Sequence, residues 1–177
     1  LIIGNALHKK TSGDEPSGDN PTETETDGKV NPLPSAAAVG AYALPFVQCI
    51  INNGWAISVP RSAQTGAQTL AQKGLAGGLY CRQVDGNDLL AVLVAMDQAR
   101  ERALAGDGGT VLELLTYRLS DHTTADDARR YRDSTEVTDA WTREPMLRLR
   151  SYLTNAGVWN EQLEAEWNTE CAARVDE

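Results

Sequence analysis

Several common features are scarce in this sequence. It holds three cysteines in 177 residues, Cys49, Cys81 and Cys171, odd in number and far apart among apolar neighbours. That pattern speaks against a disulfide framework or a metal cluster, and for small buried hydrophobes in a reducing compartment. Basic charge is short: 16 Lys and Arg face 25 Asp and Glu, a formal net charge of −9. Without a basic stripe, neither nucleic acid nor an anionic membrane surface is the expected partner. No apolar run approaches the roughly 20 residues of a membrane span. The opening Leu1-Ile2-Ile3-Gly4-Asn5-Ala6-Leu7 has no basic flank before it and is too short for a signal-peptide core. The expected location is the bacterial cytoplasm or an organelle matrix.

Large apolar side chains are also nearly missing between Lys10 and Val30, a tract of Thr, Gly, Asp, Glu and Pro. Such a tract cannot bury enough surface to offset its ordering entropy, so residues 1–34 are expected to be a divergent, largely flexible segment. The remainder has enough apolar content for one real core. It divides into an α/β unit over 35–133 and a helical tail over 134–177.

From Ser35 the composition turns apolar. Residues Ala36 to Ala43 suit a short helix that Pro45 ends. Phe46 to Ile51 is a continuous apolar run, the pattern of a strand covered on both faces, and Asn52-Asn53-Gly54-Trp55 closes it with turn chemistry. Ile57 to Pro60 is short and extended, and Thr69 to Ala76 predicts a helix that Gly77-Gly78 breaks. A second strand-like run covers Leu79 to Val84. Asp85-Gly86-Asn87-Asp88 then forms a turn able to cap the next helix, whose stripe is Leu89, Val92, Leu93, Met96, Ala99 and Ala103. Gly106-Asp107-Gly108-Gly109 ends that helix, and a third strand is expected over Thr110 to Leu119.

Strand, helix, strand, helix, strand at this spacing predicts a parallel sheet with flanking helices. Ligands bind beyond the carboxyl ends of such strands. Three polar clusters sit at those ends: Asn52 to Trp55, Asp85 to Asp88, and Arg118 to Asp127. They are therefore expected on one edge of the sheet. The third is the richest, with Tyr117, Arg118, His122, Thr123, Thr124, Asp126 and Asp127 following a β-rich run. Taken singly, these residues read as loop ion pairs and a solvated histidine; together with the other two clusters they read as a site. After them the pattern is helical. Ser134 or Thr135 can cap a helix reaching Trp141, Pro145 can start one with Met146, Leu149, Tyr152 and Leu153 on a face, and Asn160 can cap one carrying Leu163, Trp167, Cys171 and Val175.

Pro45 to Pro60 (PFVQCIINNGWAISVP), Gln83 to Asp88 (QVDGND) and Leu114 to Arg132 (LLTYRLSDHTTADDARRYR), in this order, resemble the alpha subunit of the thiamine-diphosphate-dependent 2-oxo-acid dehydrogenases. These are the first components of the pyruvate and branched-chain 2-oxo-acid dehydrogenase complexes. The tail, with Trp141, Pro145, Arg148, Tyr152, Leu153, Gly157 and Trp159, fits the same pattern. The resemblance implies an incomplete thiamine-diphosphate-binding fold, and thiamine diphosphate with Mg²⁺ as cofactors. Its partners would be a beta subunit, in a heterotetramer of two alpha and two beta chains, and a lipoyl-bearing acyltransferase. The substrate would be a small 2-oxo acid, decarboxylated oxidatively with acyl transfer to the lipoyl group.

Carried over residue by residue, the Asn53 side chain and the Trp55 carbonyl would be Mg²⁺ ligands, an oxygen set suited to that ion. His122 would face the reacting end of the cofactor, and imidazole chemistry suits proton transfer there. Arg118 would anchor the diphosphate and the loop. Asp126, Asp127, Tyr131 and Arg132 would order the loop. Thr123 stands where relatives carry a regulatory phosphorylation, which would act on an anionic site by like charge. The family's Gly-Asp-Gly segment ahead of the Asn-Asn turn has its nearest counterpart at Asp27-Gly28, which makes Asp27 a further metal candidate. The alternative implied by that distant match is a non-catalytic relative that keeps the subunit contact without the cofactor.

Overall fold

A computed structural model describes residues 38–175. Asp27 and the Thr/Pro-rich tract lie outside the described residues, as does the start of the helix expected over Ala36 to Ala43; residues 38–41 form a helical turn.

Five strands follow: β1 (Val47–Asn52), β2 (Trp55–Ala56), β3 (Val59–Pro60), β4 (Tyr80–Asp85) and β5 (Thr110–Leu115). The helices are α1 (Gln72–Leu75), α2 (Leu89–Ala105), α3 (Ser134–Trp141), α4 (Pro145–Asn155) and α5 (Glu161–Val175), with single 3-10 turns at Arg61–Ala63 and Ala128–Arg130. Strands β1, β5 and β4 form a parallel sheet in that order, with Cys49 and Arg82 both opposite Leu112. Strands β2 and β3 make a separate two-residue antiparallel ladder. The architecture is the expected one, a parallel sheet with flanking helices followed by a helical tail.

The middle strand carries the core. Thr110, Val111, Leu112 and Glu113 of β5 are all at most 2% exposed. On one face Val111 packs with Ala71 and Leu79, with Val39, Ile50 and Cys81 around them. On the other, Leu112 packs with Val84, Ala95 and Ala99 beneath α2. The expectation that Phe46 to Ile51 is covered on both faces holds for Ile50 on one side and Val47 and Cys49 on the other, and fails at the end of the strand. In the described residues β1 lies at a sheet edge and Ile51 is 67% exposed. An apolar run records that a strand meets the core, but not whether it lies in the middle or at the edge.

Other corrections are local. The third strand ends at Leu115 rather than Leu119, because its neighbours end at Asn52 and Asp85 and leave nothing to pair with. The last rung is Thr116 N–H donating to the Asn52 carbonyl at 2.9 Å. Helix α1 is shorter than Thr69 to Ala76. Thr69 and Gln72 exchange side-chain-to-backbone hydrogen bonds, a reciprocal cap that holds Thr69 outside the helix. Helix α2 is capped by Asp88, which accepts from Leu90 and Ala91 N–H at 3.0 and 3.1 Å, and closed by Gly106 as expected. Its buried face runs through Ala95 and Ala99, while Leu89 and Leu93 of the expected stripe are half exposed. Helix α3 is capped by Asp133 instead of Ser134 or Thr135: the Asp133 carboxylate accepts from Thr135 N–H at 2.7 Å.

Pro145 does start α4, with Glu144 capping it, and Asn160 caps α5. The tail is pinned to the sheet by Arg148, which donates to Asp85 at 2.7 Å and Asp88 at 3.1 Å. Arg150 pairs with Glu164 and so joins α4 to α5. Cys49, Cys81 and Cys171 are free and half-buried, and burial pushes the Cys49 and Cys81 thiols up. No helix of the described residues is long and apolar enough to cross a membrane.

Candidate functional site

Because β1, β4 and β5 are parallel, their carboxyl ends share one edge, and the three polar clusters are together there. The first is a double Asx turn: Asn52 Oδ1 accepts from Gly54 N–H and Asn53 Oδ1 from Trp55 N–H, both at 3.1 Å. Gly54 takes φ +83°, which a side chain would resist, so the turn chemistry read from the sequence is what forms. The chain then makes the β2–β3 hairpin. Pro60, opposite Trp55 in that ladder, has no N–H to give the Trp55 carbonyl.

At the hairpin tip Ile57 has φ +55°, unusual for a β-branched residue, and its carbonyl accepts from the Arg118 guanidinium at 2.8 Å. Nothing in the sequence announces that conformation. The contact nonetheless ties the first cluster to the third.

Arg118 is the hub of the third cluster. Its guanidinium also donates to Tyr131 Oη at 2.8 Å, and its backbone N–H reaches the Asn53 carbonyl at 3.4 Å. The Tyr131 hydroxyl in turn donates to Asp126, whose carboxylate also accepts the His122 N–H at 2.9 Å. The Tyr131 ring lies 5.5 Å from that of Trp55. A hydrogen-bonded path thus runs from Asn53 through Arg118, Tyr131 and Asp126 to the backbone of His122. The Tyr131 hydroxyl and then the His122 N–H hold the Asp126 carboxyl below its ordinary value.

Arg132, buried at 8% exposure, donates to the carbonyls of Arg118 and Ser120, the latter at 3.0 Å. Asp121 accepts from Ala128 N–H at 2.8 Å, and Asp127 caps the following 3-10 turn and pairs with Arg129. Asp126, Asp127, Tyr131 and Arg132 therefore order the loop. His122 and Thr123 are exposed, and the His122 ring makes no hydrogen bond among the described residues.

The second cluster closes against the end of β5. Gly86 N–H donates to the Leu115 carbonyl at 2.7 Å. Burial draws the Asp85 carboxyl upward, but Arg148 and the Asn87 N–H outweigh it, and the carboxyl lies below its ordinary value. A cavity of about 430 Å³ lies here, lined in part by Asp85, Asn87, Tyr117 and Arg143. A second, of about 310 Å³, is lined by Asn53, Gly54 and Trp55 together with Arg61 and Lys73.

That second cleft decides what the edge can hold. It offers the Asn53 and Trp55 oxygens, two cationic side chains and no carboxylate. Arg118 does not line that cleft, and its Nε is buried with no hydrogen-bond partner among the described residues. The Arg61 and Lys73 side chains lining the cleft fit an anionic group such as a diphosphate. For Mg²⁺ the set is partial. Two neutral oxygens suit an ion that shares its shell with phosphate, but the carboxylate charge such sites use is missing from the described residues. Among those residues no three His, Cys, Asp or Glu side chains converge.

Two features of the edge carry no motif in the sequence. Arg61 and Lys73 belong to no site motif, although Lys73 falls in the helix expected over Thr69 to Ala76. Glu113 lies inside the apolar run that feeds the third cluster, yet it is the most deeply buried charged residue described, at 0% exposure. The available signal is its solitude: a charged residue inside a strand-like apolar run must find partners or be very costly.

Comparison with known proteins places the chain in a family. The family model described as "Dehydrogenase E1 component" matches residues 36–177. "Pyruvate dehydrogenase E1 component subunit alpha" of Staphylococcus aureus is 50% identical over 127 residues, which is 71% of this chain and 34% of that protein. The protein of the same description from Staphylococcus epidermidis is 52% identical over 127 residues, again 71% of this chain and 34% of the relative. The chain thus spans about a third of the length of the curated relatives it matches. On the family match and these identities together, the chain belongs to the dehydrogenase E1 component family.

Proposed function

We propose that the chain is an alpha-type subunit of a thiamine-diphosphate-dependent 2-oxo-acid dehydrogenase that acts with a beta subunit and passes its acyl product to a lipoyl-bearing acyltransferase. Pyruvate leads as the 2-oxo acid, on the description of the relatives. The observation that carries the reading is the hydrogen-bonded path joining the Asn53–Trp55 turn to the His122 loop at one sheet edge. When bound, thiamine diphosphate supplies the electron sink for loss of carbon dioxide.

This chain's residues would do the rest of the work at the edge. Asn53 Oδ1 and the Trp55 carbonyl would hold Mg²⁺, with Asp27 the candidate carboxylate. Arg118, whose Nε has no partner among the described residues, and the cations Arg61 and Lys73 would balance phosphate charge. His122, with a ring free of other hydrogen bonds among the described residues, would donate or hold a proton at the substrate oxygen. Asp126 and Tyr131 would fix where that histidine's backbone sits.

The test is native mass spectrometry of the full-length assembly with Mg²⁺ and thiamine diphosphate, followed by His122→Ala. The expected result is a second chain type and the cofactor's mass. The variant should keep the cofactor but lose activity by about 100-fold or more, the scale of a general acid-base group. A second chain without cofactor would instead support a non-catalytic subunit, a reading to which the lack of a cleft carboxylate among the described residues points.

A further inference from the structure

Glu113 sits at the centre of the middle strand with no cation within ion-pair distance among the described residues. Its two oxygens are each taken by one N–H donor. Asn52 Nδ2 donates to Oε1 at 2.6 Å, and Ala71 N–H donates to Oε2 at 3.0 Å. Asn52 is itself only 8% exposed and fully engaged: its Oδ1 accepts from Gly54 N–H and its carbonyl from Thr116 N–H. The Asn52 amide can satisfy Glu113 and Gly54 together in only one orientation, oxygen toward Gly54 and nitrogen toward Glu113. Glu113 therefore dictates how the Asn52 amide points, and the Asn52 amide dictates where the chain turns toward Asn53 and Trp55. Through Ala71 the same carboxylate fixes the segment entering α1, which brings Lys73 to the cleft.

Stability alone does not explain a charge in this position. Apolar side chains of similar volume commonly serve a core as well as or better than a buried ion. We propose that Glu113 is a positioning residue, whose buried carboxylate sets the Asn53–Trp55 turn and the Lys73 side of the cleft for the diphosphate and its metal. The proposal rests on the cofactor reading given above.

The donor–acceptor pattern supplies a sharp test. In Glu113→Gln the new NH₂ must face a donor, either Asn52 Nδ2 or Ala71 N–H, and flipping the Asn52 amide only moves the conflict to Gly54. In the double variant Asn52→Asp/Glu113→Gln every pair is restored. The amide introduced at position 113 donates its NH₂ to the carboxylate introduced at position 52 and accepts the Ala71 N–H on its oxygen. That carboxylate in turn accepts from Gly54 N–H. One negative charge remains in the pair.

Full-length chain co-purified with its beta partner would be compared as wild type, Glu113→Gln and the double variant, by calorimetric titration with thiamine diphosphate in Mg²⁺ and by melting without cofactor. Loss of one oriented hydrogen bond to the turn is expected to weaken binding by about tenfold in Glu113→Gln. The double variant is expected to return to within about threefold of wild type. A Glu113→Gln protein that melts earlier but binds as wild type would make Glu113 a stability residue only and overturn the proposal, leaving the cofactor reading intact. A wild-type assembly that takes up no cofactor would overturn that reading and this proposal with it. Should Glu113→Gln fail to fold, the double variant carries the test, and weak binding by it sinks the idea.

Discussion

The Tyr131 hydroxyl is shared by two groups whose chemistry differs. It accepts from a guanidinium and donates to a carboxylate that also receives a backbone N–H. Burial and then Asp126 raise the Tyr131 phenol, so it stays a donor across the physiological range. Asp126 is the pH-sensitive member. Its folded value is depressed, so the stability it adds to the loop is fully present above the unfolded value near 4 and is lost as pH falls through the folded one. Tyr131→Phe removes the hydroxyl that does most to hold it down. The Asp126 carboxyl should then move up toward its ordinary value, as followed by carbon-detected NMR titration; an unchanged value would mean that the His122 N–H alone holds it down.

Gly86 makes a separate prediction at this scale. A Cβ there would meet Thr116 Cγ2 at 2.7 Å, the Leu115 carbonyl oxygen at 2.8 Å and the Leu114 carbonyl carbon at 3.0 Å. Two of these are backbone atoms of the middle strand and cannot yield. Gly86→Ala should cost about 1–3 kcal/mol, the range for overpacking, read as a lowered urea midpoint with unchanged slope.

At the scale of elements, the sequence was most legible where one residue type has one use. Asp88 before an apolar helix, Gly106 after it, Pro145 at a helix start and Asn160 at another are all where the pattern put them. The Asn-Asn-Gly turn was legible for the same reason. It was least legible where the deciding factor is a neighbour distant in sequence. Strand β5 ends at Leu115 because β1 and β4 end, and β1 sits at an edge because β5 takes the middle. The Ile57 conformation and the Arg61 and Lys73 contributions to the cleft belong to that second kind. The convergence of the clusters follows from parallel pairing alone and needs no particular side-chain contact.

Helix α4 offers the prediction for this scale. Arg148 is partly exposed and reaches two carboxylates at the end of β4 and the start of α2. Exposed single pairs are worth little, but one guanidinium on two acids that also close a turn and cap a helix is a small network. Arg148→Ala should destabilise the fold by about 1 kcal/mol and raise the Asp85 carboxyl, measured by thermal melts at low and high salt. A loss independent of salt would assign the effect to packing of the stem instead.

Across the whole molecule, burial is uneven. The middle strand is sealed, whereas α4 and α5 contain no buried residue, are linked by the Arg150–Glu164 pair, and line a cavity with Leu149, Leu153 and Trp167. Local opening free energies follow such contrasts. Amides of Val111 to Glu113 should therefore exchange with solvent about a hundredfold more slowly than those of α5. Comparable protection in α5 once the proposed beta chain is added would show that a partner covers the tail.

The two faces of β5 differ in one further respect. Val111 and Glu113 look toward Ala71, while Leu112 and Leu114 look toward α2. A slip of one residue along the sheet would exchange the faces, placing a carboxylate in the apolar layer under α2 and leaving the amides of Asn52 and Ala71 to point at leucine. Neighbouring leucines and valines could trade places at small loss, so they police the alignment weakly. One acid in the middle of a greasy strand makes the wrong alignment chemically intolerable, and it works as a proofreading device for the edge on which the loops depend.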